Sequence, residues 1–156
     1  MEIRKIEEKE MQNAVNLSLK VFLEYEAPDY SEEGVREFEK TINDKEWILE
    51  KEIIGAFENN RLIGLIAIKN YNHIALFFVD SDYQGKGIGK KLFQEICKLN
   101  NCGYYTVNSS PYAKSIYEHL GFKCTSEEKC VNGMRFYPMI NDKIFEYKIN
   151  KKINLK

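Results

Sequence analysis

Gly85, Gly87 and Gly89, with Lys86, Lys90 and Lys91 among and after them, form the densest concentration of chemistry in the chain. Glycine has no Cβ, so it turns the backbone sharply and brings it close to a ligand. The run before the cluster, HIALFFV, reads as a strand, apolar on both faces from Ile74 to Val79 and so expected in the sheet centre. The residues after it, Ile88, Leu92, Ile96 and Leu99, recur at helical spacing. A strand-to-helix turn of this kind aims the unpaired amides of the helix start, and the positive end of its dipole, at one point. With lysines around the same point, the expected occupant is a phosphate or pyrophosphate.

Two phosphate loops can be tested against the spacing. A Walker A loop separates its glycine from Gly-Lys by four residues and follows with Ser or Thr. Here three residues lie between Gly85 and Gly89, and Lys91 follows Lys90, so the magnesium-binding hydroxyl is missing and a nucleotide switch is disfavoured. The dinucleotide fingerprint GxGxxG opens a parallel sheet. The pattern here is GxGxG, and it follows strands in hairpin order.

The elements around the loop follow from hydrophobic period. EIRKI alternates as a short strand, and Met11, Ala14, Val15, Leu17, Val21, Phe22 and Tyr25 make a helix stripe from about Glu8 to Tyr25, closed by Pro28. Ser31 is placed to cap a second helix carrying Val35, Phe38 and Ile42. EIIGAFEN and RLIGLIAIK form a hairpin about Asn59 and Asn60. After the glycine helix, ended by Asn100, Asn101 and Gly103, YYTVN is a fifth strand. SSPYAKSIYEHLGF is a helix with Ser109 or Ser110 as cap, Pro111 in its first turn, Gly121 past its end, and Ala113, Ile116, Tyr117 and Leu120 on its inner face. FKCTSEEKC and MRFYPMI close the sheet around Asn132 and Gly133. The fold class is α+β (mixed α/β), a single domain over residues 1–156 with a basic terminal extension from about residue 142.

In QGKGIG, Gln84 to Gly89, and YEHLGF, Tyr117 to Phe122, the sequence resembles the GNAT superfamily of acetyl-CoA-dependent N-acyltransferases. The first matches that family's Q/R-x-x-G-x-G/A loop and the second its Y-x-x-x-G-F signature, in the expected order and among the expected elements. The resemblance implies a central mixed, mostly antiparallel sheet of about six to seven strands flanked by about four helices. It implies that the fourth and fifth strands splay apart, with acetyl-CoA as cofactor. The main chain of Phe77, Phe78 and Val79 is then expected to pair with the pantetheine arm. Gln84, Gly85, Lys86, Gly87, Ile88, Gly89 and Lys90 are expected to hold the pyrophosphate.

Acyl transfer from a thioester to an amine requires a neutral amine, a donor to the developing oxyanion and a proton for the departing thiolate. Tyr117 stands where many members of the family carry the acid, and a phenol's pKa near 10 lies close to that of a thiol. It also shares a face with Ala113, Ile116 and Leu120, as a packing aromatic would. His73, at the start of the central strand, titrates near neutrality and is a candidate base. It lies eleven positions before Gln84, where some relatives place a glutamate. His119 reads as a surface residue, and Ser110 stands where the family often has an asparagine. The loop FLEYEAPDYSEEG offers Glu24, Glu26 and Asp29 with Tyr25 and Tyr30 to attract a cationic amine, and reads equally as a solvated acidic loop. Glu24, Tyr25 and Tyr30 are the expected substrate contacts.

Composition bounds these readings. The chain has 156 residues, 44% of them hydrophobic, which suits one real core, and its net charge of -1 leaves no global field for nucleic acid. No apolar window approaches the roughly 18 residues of a membrane span, and the N-terminus has no signal-like run. A cytoplasmic protein without membrane or nucleic-acid partners is expected. Cys97, Cys102, Cys124 and Cys130 form no CxxC pair, so no metal site is expected. The function expected is transfer of the acetyl group of acetyl-CoA to a primary amine on a small molecule or a peptide, by direct attack in a ternary complex. The alternative is a non-catalytic acyl-CoA sensor or protein-interaction module of the same fold.

Overall fold

Eight strands form one sheet in the order β1-β2-β3-β4-β5-β8-β6, with β7 pairing β8 beside that path. The computed structural model describes residues 1–100 and 102–142; Asn101 and the basic extension lie outside the described residues. The strands are β1 Glu2–Lys5, β2 Glu52–Glu58, β3 Arg61–Lys69, β4 His73–Val79, β5 Tyr105–Ser109, β6 Lys123–Cys124, β7 Lys129–Val131 and β8 Met134–Asn141. All described pairings are antiparallel except β4 with β5. Asn59 and Asn60, at φ 50 and 65, supply the left-handed pair that a tight hairpin needs between β2 and β3. The sequence FKCTSEEKC, expected as one strand, is two short ones, because both halves pair with β8 but at different registers.

Helices cover both faces. On one side α1 (Met11–Val21), α2 (Glu32–Ile42) and α3 (Lys45–Leu49) pack Val15, Phe22, Phe38 and Ile48 onto Ile53, Leu65, Leu76 and Phe78. On the other, α4 (Ile88–Leu99) and α5 (Lys114–His119) bring Leu92, Ile96 and Tyr117 against Ile54, Ile66 and Ile74. Ser31 caps α2 by accepting from the Gly34 amide at 3.2 Å. The short α3, which the sequence pattern did not suggest, is held by Asp44, whose carboxylate accepts from the amides of Glu46 and Trp47.

Three departures from the sequence reading bear on the site. β2 and β3, not β4, are the strands buried along their whole interiors. In β4 the burial alternates, with Ile74, Leu76 and Phe78 in the core and His73, Ala75, Phe77 and Val79 only half-buried. The first long helix does not run regularly to Tyr25. It widens to a π turn over Phe22–Glu26, closed by the Ala27 amide donating to Phe22 O. Pro28, lacking an N–H and crowding the preceding turn, prevents further α-helix there. The last helix is also shorter than its sequence pattern. Pro111 falls in a turn in which Ser110 Oγ accepts from the Ala113 amide, and helix begins only at Lys114.

Candidate functional site

The sheet opens between β4 and β5. These strands pair in parallel only at His73 with Thr106 and Ile74 with Val107. Directly beyond, Ala75 is an extra residue in β4: Ile74 faces Ile68 while Leu76 faces the adjacent Ala67. Such a bulge bends its strand, and among the described strands none pairs with β4 past Ile74 on that side. β5 meanwhile continues along β8 through Ser109. The result is a V whose open edge is Ala75–Val79.

A cavity of about 550 Å³ fills the open side of the V. One wall is Phe77, Phe78 and Val79 of β4; the floor is Gln84, Gly85, Gly87, Ile88, Gly89 and Lys90; the far wall is Tyr112, Ile116 and Tyr117. Gly85 and Gly87 have φ of 76 and 79, and a Cβ built on either would meet nothing within 4 Å. The space above these two backbone units is therefore left by the fold itself, and Gly87 is also the N-cap of α4. That is the shape an anion cradle takes, with α4 amides facing it. The Gln84 side chain donates from Nε2 to Val79 O at 3.0 Å, tying the loop to the end of β4. Asp80 anchors the same turn. Its buried carboxylate accepts from the Asp82 amide at 3.0 Å and lies 3.3 Å from both Lys20 and Arg61. Lys86, expected in the cradle, does not line the cavity; its Nζ sits 5.1 Å from the Tyr83 ring centre.

A second, smaller chamber of about 170 Å³ lies against the α1–α2 side. Phe22, Tyr30, Phe38, Trp47 and Met134 supply much of its wall. Four residues line both spaces: Glu26, Phe77, Phe78 and Tyr117. Tyr117 is 6% exposed and packs edge-on against Phe77 and Phe122. Burial, with the charge of Glu26 beside it, pushes its phenol well above the ordinary value, so it stays protonated.

Glu26 was legible in the sequence only as one acid in an acidic loop. The π turn and Ser110 give it a specific place. Ser110 Oγ donates to its Oε1 at 2.6 Å across the mouth of the V. Burial pushes its carboxyl up to about 7; the Ser110 hydrogen bond opposes this and the charge of Asp29 adds to it. Beside it, the Tyr25 and Tyr112 rings stack with centres 5.1 Å apart, linking the same two segments. Of the expected substrate contacts, Tyr25 lines the larger cavity and Tyr30 the smaller, while Glu24 is exposed and lines neither.

His73 is not brought to the site. It stands at the closed end of the V, its Nδ1 2.8 Å from Thr106 Oγ1, and lines neither cavity. Burial and the charge of Lys69 push its pKa below the ordinary value. A parallel pair must begin somewhere, and His73 marks that beginning. His119 is exposed, as expected, and also borders the larger cavity, with Nδ1 against Ser115 O at 2.6 Å. Among the described residues no group of His, Cys, Asp and Glu side chains could hold a metal, and no helix is long and apolar enough to cross a membrane.

Residues 26–143 match the acetyltransferase (GNAT) domain. The chain belongs to this family. It is an acetyltransferase, and its split sheet and glycine turn are those of a GNAT fold. A GCN5-related N-acetyltransferase structure from Rhodopseudomonas palustris superposes with a TM-score of 0.79 at 19% identity, covering 90% of this chain and 94% of that one. The PaiA N-acetyltransferase of Thermoplasma acidophilum, solved in complex with coenzyme A, gives 0.70 at 21% identity over 90% and 98%. An aminoglycoside 6'-N-acetyltransferase from Enterococcus faecium gives 0.60 at 14% identity over 90% and 96%. At these identities the likeness concerns the fold. No curated protein sequence matches this GNAT chain.

Proposed function

We propose that this acetyltransferase transfers the acetyl group of acetyl-CoA to a primary amine on a small molecule, as one domain, in a ternary complex. The observation that carries the reading is the cavity of about 550 Å³ that runs from the open glycine turn along the free edge of β4 to Tyr117. The acyl donor, when bound, supplies a thioester carbonyl. The amides around Gly85–Lys90 hold its pyrophosphate, and the unpaired edge of Phe77–Val79 offers main-chain hydrogen bonds to its arm. Phe77, Phe78 and Tyr117 close the end of the cavity, which strengthens every polar interaction made there. Burial keeps the Tyr117 phenol protonated and raises it above the thiol it was matched to, so Oη donates to sulfur only as the surplus proton on nitrogen replaces its own. We place the protein in the cytoplasm.

Calorimetry with acetyl-CoA, followed by thiol release over a panel of small amines and peptides, tests this reading. Tyr117→Phe is expected to lower kcat by about 10²-fold, the low end for a general acid, while the Kd for acetyl-CoA stays unchanged. Unchanged kcat removes the acid role, and binding without thiol release from any amine favours an acyl-CoA sensor.

A further inference from the structure

The mechanism so far leaves the amine without a seat or a base. Acceptors with pKa values near 10 arrive protonated, and the ammonium must lose a proton before nitrogen can attack. Glu26 is the one acidic or basic side chain on the wall of the smaller chamber among the described residues, and it also borders the larger cavity beside Tyr117. Resting on the acetyltransferase reading, we propose that the Glu26 carboxylate takes the acceptor's ammonium proton and that the smaller chamber seats an acceptor of single-ring size.

Three observations support it. First, the junction position lets one carboxylate reach an amine entering from the chamber while the acyl group enters from the other side. Second, the chamber is close in volume to the roughly 150 Å³ cavity that admits benzene, at about 170 Å³. Its rings, Phe22, Tyr30, Phe38 and Trp47, suit an aromatic or branched aliphatic body. Third, one carboxylate can compensate one ammonium. A polyamine or aminoglycoside would bring further charges against a wall whose other polar side chains, among them Thr41, Asn108 and Ser110, are neutral.

The step balances as follows. The Glu26 carboxylate removes one proton from R–NH₃⁺, and the freed nitrogen pair forms the C–N bond to the thioester carbonyl carbon. The C–S bond breaks, its electron pair leaving on sulfur, which takes the Tyr117 Oη proton. The surplus proton on nitrogen returns to Tyr117, and Glu26 releases its own to solvent, one proton per turnover. Ser110 acts as a positioning residue through its 2.6 Å hydrogen bond to Oε1. Facing Glu26 are Asp29 and Tyr30 from the segment before α2, and Tyr112 and Tyr117 from the turn after β5 and from α5. From β4 it meets Phe77 and Phe78, which do not titrate. Lys90 and His119 border the larger cavity only.

The test uses phenethylamine as probe acceptor and measures kcat/KM from pH 5.5 to 9 together with phenethylamine binding without acetyl-CoA. Wild type is expected to gain activity through a limb near pH 7, matching the Glu26 carboxyl at about 7. Glu26→Gln should lose that limb, fall about 10²-fold in kcat/KM at pH 8, and bind phenethylamine more weakly. Ser110→Ala, which withdraws a bond favouring the ionised carboxylate, should move the limb to higher pH, and it decides the matter if Glu26→Gln does not fold. His73→Gln should leave the limb in place. A limb retained in Glu26→Gln, a limb unmoved in Ser110→Ala, or a higher kcat/KM for spermidine or kanamycin than for phenethylamine overturns the proposal. In each of those cases wild type still releases thiol. If wild type releases none with any amine, it is the acetyltransferase reading that has failed.

Discussion

The raised carboxyl of Glu26 makes a prediction about stability that needs no substrate. In the unfolded chain Glu26 titrates at its ordinary value of 4.5, and in the fold at about 7. A carboxyl whose folded pKa is raised contributes stability that is complete below its unfolded pKa and lost as pH rises through its folded one. The window is therefore about pH 4.5 to 7, and the loss is ~3 kcal/mol at 1.36 kcal/mol per pKa unit. Water in the adjoining cavities screens part of it, so about 1–3 kcal/mol is expected. Glu26→Gln keeps the shape and an oxygen for Ser110 to bond but cannot ionise. Urea unfolding at pH 4 should find the two proteins nearly equal. At pH 8 the variant should be the more stable, with a midpoint higher by about 1 M for a typical urea slope. All other titrating groups are common to both chains, so the pH dependence of the difference isolates Glu26. A difference that is the same at pH 4 and pH 8 would refute the half-buried, raised carboxyl and the site built around it.

Other perturbations test the scaffold. Gly87→Val places a β-branched side chain at φ 79, inside the empty space over the loop, and should abolish acetyl-CoA binding by calorimetry; retained affinity would sink the anion cradle. Ser18 Oγ is buried with no hydrogen-bond partner, so Ser18→Ala should raise stability by about 1 kcal/mol, read as a higher urea midpoint. A Cβ on Gly34 would fall on the carbonyl oxygen of Gly133. Gly34→Ala should therefore push α2 off the β7–β8 turn and cost about 1–3 kcal/mol, seen as a lower thermal midpoint.

Much of this protein is local in origin, and that part was readable from the residues. Apolar runs around the Asn59–Asn60 turn placed β2 and β3, which are buried on both faces, and helical spacing placed α2 and α4, each of which buries the face that its own spacing defines. Ser31 and the pair Asn59–Asn60 act on amides and turns within a few residues, so their types announce their roles. The glycine turn is equally local: positive φ at Gly85 and Gly87 and the amides of α4 all come from one stretch. What depends on distant segments could not be read. HIALFFV looks uniformly apolar, yet its second half, Phe77 to Val79, borders a cleft, because a bulge at Ala75 and the early end of β5 pairing open the sheet there. His73 has suitable chemistry and the wrong end of the V. Glu26 looked like any acid in a solvated loop until Pro28 ended the helix in a π turn and Ser110, 84 residues away, reached its carboxylate. A side chain's pKa and its neighbours are set by what folds over it, so the glycine turn could be read from one stretch, while only the tertiary structure placed Glu26 between the two cavities.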